Sequence, residues 1–296
     1  MTYRFGKVTF QNQFQKLEKA GHWLNSIGIK TENTRFDEVL QLNKEILEHK
    51  KNKLTENLIK KHGNLKLYFA LTEASSFIQI YKAFKDQKSH VHPRTKLKKM
   101  LKGPYYSWEE DVKGGNIEPR NTLFELEVAS KLKNAGAQLT RFDDVDFIFK
   151  KVEFNVQCKR LHSKMKVEDN ISEATAQFYK RMKSRPNLKG IICLSIDKLT
   201  GKENMFLKVK SPDEIRLKLD TIENSFLDKY RALWHNLVNI NILAVLIFVH
   251  IVAIIEEQPH DLLTSCCDIA FDVIPIKGIQ TVDYNLIAEM GKRLED

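Results

Sequence analysis

The sequence has little that would cross-link, export or embed it. Only four cysteines occur in 296 residues: Cys158, Cys193, Cys266 and Cys267. They form no CxxC pair and no framework spacing, which excludes a disulfide-stapled scaffold and points to reduced core cysteines of a cytoplasmic protein. The vicinal Cys266-Cys267 pair has no evident partner ligands nearby and reads as core rather than as a soft-metal site. The N-terminus lacks the apolar stretch of a secretory signal. The one long apolar run, Ile242 to Ile255, is shorter than the roughly 20 residues that span a bilayer. It is rich in β-branched residues, is interrupted by His250, and reads as a buried central strand. No membrane partner is expected, and no internal repeat is visible.

What is present is an ordinary apolar content of 42% and a formal net charge of +10. The charge is uneven. Residues 1–103 carry 21 Lys/Arg against 9 Asp/Glu, and the remainder 27 against 29. A basic region beside a near-neutral one suits a polyanionic partner, although a solvated lysine-rich helical surface has the same composition.

Apolar spacing makes residues 9–102 helical. Phe10, Phe14, Leu17, Ala20, Trp23 and Leu24 form one stripe. Thr34 opens a second helix, and His62-Gly63-Asn64 interrupts the pattern before a third that runs from Leu67 to Phe84. Gly103-Pro104, Gly114-Gly115 and Pro119 mark a boundary. A helix from Thr122 to about Ala135 follows, closed by Gly136. Strands are expected at 138–141, 145–149, 154–159, 190–196, 242–255 and 267–276. Helices are expected at 170–184, from Ser211-Pro212 to Leu237, and at 284–293. This alternation predicts an α/β domain over 104–296, with a central mixed sheet flanked by helices, preceded by an all-α basic module over 1–103.

The stretch Asp146 to Arg160, DFIFKKVEFNVQCKR, carries the chemistry. An acid begins one strand. The next strand ends in Gln157-Cys158-Lys159-Arg160. Strand alternation puts Gln157 and Lys159 on one face. Carboxylate and amide oxygens suit a hard cation, and an ammonium beside them suits the charge that develops on phosphate. Asp144 shares a face with Asp146 and is the alternative acid. Glu125 and Glu127 lie on the preceding helix about 200° apart, so only one can face the sheet. His90 and His92 read as loop residues.

These residues resemble the PD-(D/E)XK nuclease superfamily, whose core places an Asp on one strand and Glu-x-Lys on the next. Here the pair reads Gln-x-Lys, a variant similar to that of Mrr-type restriction endonucleases. The likeness covers about Asn116 to Asp197 and includes the helix at Arg120 to Ala129 and the later helix with Gln177. It implies a restriction-endonuclease-like fold and hydrolysis of phosphodiesters dependent on Mg²⁺ or Mn²⁺, in DNA rather than RNA, with little sequence specificity and a homodimer as one arrangement. It implies Glu125, Asp146 and Gln157 as metal ligands, with Lys159 as the fourth catalytic residue. Arg160, Lys164, Gln177, Lys180 and Arg181 would hold the phosphate backbone. The alternative is a chain that kept this fold without its chemistry and serves as a nucleic-acid-binding or protein-interaction scaffold.

Overall fold

A computed structural model describes residues 10–50, 55–86, 93–104, 110, 115–142, 145–201, 206–237, 241–255, 263–273 and 281–295. Asp144, His90 and His92 lie outside these residues, and the side chains of Cys266 and Cys267 lie outside the description as well.

The amphipathic stripes of the N-terminal third become α1 (Phe10–Ser26), α2 (Arg35–Lys50) and α3 (Thr55–Phe84). Gly63, at φ 75° and ψ 154°, breaks α3 where the apolar pattern lapses, a conformation that costs a residue without Cβ little. The basic run forms a short helix, α4 (Arg94–Met100). The next helix, α5 (Glu118–Asn134), starts four residues before the expected Thr122. Pro119 belongs to its first turn, where a missing N–H is no loss. Gly136, at φ 90°, closes it as expected.

A seven-stranded mixed sheet follows, in the order β1-β2-β3-β4-β6-β5 with β7 also on β6. β1 (Gln138–Arg141), β2 (Val145–Phe149) and β3 (Val152–Arg160) form an antiparallel meander. The β2–β3 turn is Lys150-Lys151, both residues at positive φ, the backbone of a tight two-residue hairpin. α6 (Val167–Met182) then returns the chain to β4 (Lys189–Ser195), parallel to β3. β5 (Phe206–Val209), α7 (Pro212–Leu237), β6 (Ile242–Ile255), β7 (Leu263–Val273) and α8 (Thr281–Glu295) complete the order. The four residues of β5 were too few to register as a periodic pattern. Among the described residues no helix is long and apolar enough to cross a membrane.

The apolar run Ile242 to Ile255 is the centre of the sheet. β7 pairs along one edge of β6, while β4 and β5 share the other. β4 stops opposite Phe248 and β5 begins opposite Val252. The gap falls at His250, whose backbone N–H is bonded by the Asp197 side chain at 2.8 Å instead of by a strand.

Alternation divides the sheet into two apolar faces. Phe154 and Val156 of β3 join the cluster formed with α1 to α5 and α8. On the other face Ile192 and Leu194 of β4 join α6 and α7. The N-terminal helices thus share one core with the sheet. The expected boundary at residue 103 falls between the helices α4 and α5, and the apolar packing is continuous across it. Buried charge reinforces the junction. Arg120 of α5 donates from Nε to Glu73 of α3 at 2.7 Å and from Nη1 to Glu110 at 3.3 Å. Arg35 of α2 lies on the other oxygen of Glu73, its Nε 3.0 Å away.

Removing one partner of a buried charge network strands the others and costs about 3–5 kcal/mol. Arg120→Ala is therefore expected to lower the unfolding free energy from urea denaturation by that much, in a single transition that takes the N-terminal helices and the sheet together. Two separated transitions in helix-sensitive circular dichroism and tryptophan fluorescence would show instead that the two parts fold independently.

Candidate functional site

The β2–β3 hairpin builds a polar ladder on the sheet face covered by α6. Its two-residue turn sets Asp146 directly opposite Asn155. Asn155 Nδ2 donates to Asp146 Oδ1 at 2.5 Å, and Gln157 Nε2 donates to Asn155 Oδ1 at 2.5 Å. The second oxygen of Asp146 accepts from Arg185 Nη1 at 3.0 Å, and the same nitrogen reaches Glu153 Oε1 at 2.6 Å. Burial alone would loosen the Arg185 proton, but Glu153 and Asp146 outweigh it and hold that proton more firmly than usual. Asp146 is fully buried. Lys159, further along the same face, pairs with Glu173 of α6 at 2.9 Å. Gln177 donates to the same Glu173 oxygen, also at 2.9 Å. Sequence reasoning thus brought Asp146, Gln157, Lys159 and Gln177 to one face and missed Asn155, Glu153, Glu173 and Arg185. Asn155 was open to discovery, because a two-residue turn at Lys150-Lys151 pairs it with Asp146 by counting.

Two expected members lie on the opposite face. Glu125 pairs with Lys96 of α4 at 2.5 Å, on the α5 side of the sheet, and does not join Asp146 and Gln157. The face of α5 that points at the sheet carries Glu127, which is buried, so the choice between the two acids falls the other way. Arg160, one residue beyond Lys159, also points away from the α6 side. It bonds Glu110 and Asn121 instead of extending a basic strip. Lys164, Gln177 and Lys180 are exposed, and Arg181 is half-buried. The donor set for Mg²⁺ or Mn²⁺ does not fit as arranged. Both Asp146 oxygens already accept from protein donors, and among the described residues no group of three or more His, Cys, Asp or Glu side chains is placed to hold a metal ion.

A second polar site occupies the α3/α5 face, outside the carboxyl ends of the parallel strands β3 and β4 and beside the middle of β6. Crevices in open α/β sheets form at such ends. A cavity of about 60 Å³ is lined there by Arg120, Glu127, Arg160, Ser195, Asp197 and His250, with Tyr68, Phe69, Leu123 and Phe124 as its apolar walls. His250 stands between two acids. Nδ1 lies 3.0 Å from Asp197 Oδ2, and Nε2 lies 3.0 Å from Glu127 Oε1. Burial pushes both carboxyls up, yet His250 outweighs it and holds each below its ordinary value. With a carboxylate oxygen facing each ring nitrogen, the arrangement is the one an imidazolium would satisfy by donating from both. Tyr68 of α3 donates to the His250 carbonyl at 3.0 Å. Glu110, also raised by burial, is brought below the usual range by Arg160 and Arg120. Sequence reasoning had marked His250 as the interruption of an apolar run, and had named Glu127 and Arg160 without bringing them to this site. The partners of His250 come from segments more than fifty residues away in the chain.

No family profile, curated protein or solved structure matches the chain.

Glu110, Glu127 and Asp197 all titrate lower in the folded chain than in the unfolded one. As pH falls the unfolded chain takes up protons first. Their contribution is complete above the ordinary carboxylate values of about 4 and is lost as pH drops below them. His250→Gln removes the group that lowers two of the three. It is expected to lose most stability against the native chain at pH 7 and to converge on it between about pH 5 and pH 3. An equal loss at both ends of a urea-denaturation series would rule out an ionised triad.

Proposed function

We propose that the chain is a nucleic-acid-binding protein built on a nuclease-like core whose hydrolytic face is closed. The observation that carries this reading is the contrast around α6. The acid expected at the reaction centre is sealed by Asn155 and Arg185, while the neighbouring helix is open on its outer side, with exposed lysines at both ends and the acids Glu168, Asp169 and Glu173 between them. α6 buries Val167, Ile171, Ala174, Thr175 and Phe178. Its outward residues include Gln177, Tyr179 and Lys180, with Lys183 exposed just after it and Lys164 and Lys166 exposed just before it. Ammonium groups draw the phosphate backbone and release its counterions, and an exposed tyrosine among them offers a ring on which a base can stack. The succession α5, β2, β3, α6 around the Gln-x-Lys pair supports the resemblance to the PD-(D/E)XK superfamily. The surplus of basic residues in 1–103 supports a polyanionic partner. Nothing exposed on α6 is arranged to read base edges, so sequence specificity is expected to be low.

The second reading is metal-dependent hydrolysis with DNA as substrate. Lys159 favours it by lying on the face of Gln157, two residues on. Arg185 favours it by being partly exposed, its side chain 24% accessible.

Fluorescence anisotropy with unphosphorylated single- and double-stranded oligonucleotides tests the first reading. Affinity is expected to fall steeply as salt rises, with a log–log slope of about −0.9 per duplex phosphate neutralised. The double variant Lys180→Glu, Lys183→Glu is expected to bind roughly tenfold more weakly or worse. No cleavage is expected from the native chain in Mg²⁺ or Mn²⁺. Cleavage by the native chain that Asp146→Asn abolishes would replace this reading with the hydrolytic one. Salt-insensitive binding, or full affinity in the double variant, would remove the α6 surface from it.

A further inference from the structure

We propose that Arg120, Arg160 and Lys198 form a seat for a phosphate group, in which Glu110 of the same chain stands in for the ligand.

The geometry around Glu110 is that of a bound anion. Its side chain has no solvent exposure. Oε1 accepts from Arg120 Nη1 at 3.3 Å and from Arg160 Nη1 at 3.4 Å. Oε2 accepts from Arg160 Nη2 at 3.3 Å and faces Lys198 Nζ at 3.2 Å. Two guanidiniums and an ammonium, from α5, the end of β3 and the turn after β4, thus converge on one carboxylate. All four contacts are longer than the roughly 2.7–2.9 Å of a well-seated charge-assisted bond. Arg120 itself shows the contrast, since it holds Glu73 at 2.7 Å. The nest is wider than the two oxygens it contains. A tetrahedral anion presents three or four oxygens and a second negative charge to the same donors, and paired arginines suit that geometry.

The surroundings fit a larger guest. The cavity lined by Arg120 and Arg160 has room for a few waters with Glu110 in place. Phe69 and Phe124 bound it, so a phosphate carried on an organic body would have apolar walls beside its charged end. Arg35 adds a further cation behind Glu73. Its Nη1 is buried without a hydrogen-bond partner, and burial, offset in part by Glu73, lowers its proton affinity to a pKa of about 10. In the neighbouring Glu127–His250–Asp197 triad His250 contacts both acids at 3.0 Å, while the hydrogen bonds of Arg160 go to Glu110 and Asn121. This seat does not depend on the nucleic-acid reading. It lies on the face of the sheet opposite α6, and free phosphate would satisfy it.

Calorimetric titration with inorganic phosphate tests the assignment, with chloride at matched ionic strength as control. The native chain is expected to bind phosphate weakly, because Glu110 competes. Glu110→Gln keeps the shape and removes the competing charge. It is expected to bind at least roughly tenfold more tightly and to gain more in melting temperature from phosphate than the native chain does. Arg160→Gln is expected to lose the effect in either background. Phosphate binding no tighter in Glu110→Gln than in the native chain, or binding retained by Arg160→Gln, overturns the proposal. Should Glu110→Gln not fold alone, refolding in phosphate is expected to recover it. Failure to recover counts against the seat. Oligonucleotides with and without a 5′-phosphate separate the two sources of the group. A preference for the phosphorylated strand that Arg160→Gln removes assigns the seat to a nucleic-acid end, and equal binding of the two assigns it to free phosphate. Loss of affinity for both strands in the Lys180→Glu, Lys183→Glu variant reports on the α6 surface alone.

Discussion

Arg120 sits between Glu73 on one side and Glu110 on the other, almost without exposure. Its position explains much of the rest. A guanidinium so deep is tolerated only when its donors meet acceptors on several sides. Those acceptors come from α3 and from the chain before α5, while Arg35 of α2 and Arg160 of β3 attach to the same carboxylates. Burying this one charge therefore fixes how the helical third of the chain sits on the sheet. The apolar cluster that runs from α1 through α5 to β6 supplies the bulk of the driving force, since it removes large apolar areas from water. The ionic chain adds direction. Hydrophobic contact alone would allow α3 to slide on α5, whereas Glu73 can reach both arginines in few registers.

The sheet has a comparable constraint in β6. One edge of this strand serves two partners in succession, and where neither reaches, Asp197 bonds the His250 backbone through its side chain. The same carboxylate then takes the imidazole. A gap in a β ladder needs a polar group to fill it. In this chain the filling group is also the start of the charged crevice, which is why the crevice lies at that point of the sheet.

Much of this was legible in the residues. The helical stripes, the β2–β3 hairpin, the cap at Ser211-Pro212 and the central strand at 242–255 follow from local periodicity and turn chemistry, and the structure has them. Ser211 accepts from the Glu214 N–H as a capping residue should. The polar ladder was partly legible, because alternation and a two-residue turn fix which side chains share a face. The same rule applied to Arg160 would have moved it away from Lys159 to the other side. What no local pattern carried was the packing of distant polar groups. Glu127 and His250 are 123 positions apart, and Arg120 reaches back 47 positions to Glu73. Periodicity marks a residue as inward or outward, but it does not say which inward acid meets which inward base. Arg185 escaped for a related reason. It lies in the turn after α6, where apolar spacing gives no direction to a side chain.

Lys159 and Arg160 are joined by one peptide bond, yet they belong to different electrical environments. An apolar slab of Phe154, Val156, Ile191 and Cys193 lies on one side, with Ile192 and Leu194 on the other. Field lines from the hairpin's acids end on Arg185, and those from the crevice end on its own arginines, so each set of charges is neutralised where it stands. The strand works as an insulated partition. A change of charge on one surface can be accommodated without retuning the other, and the two surfaces are free to diverge at separate rates.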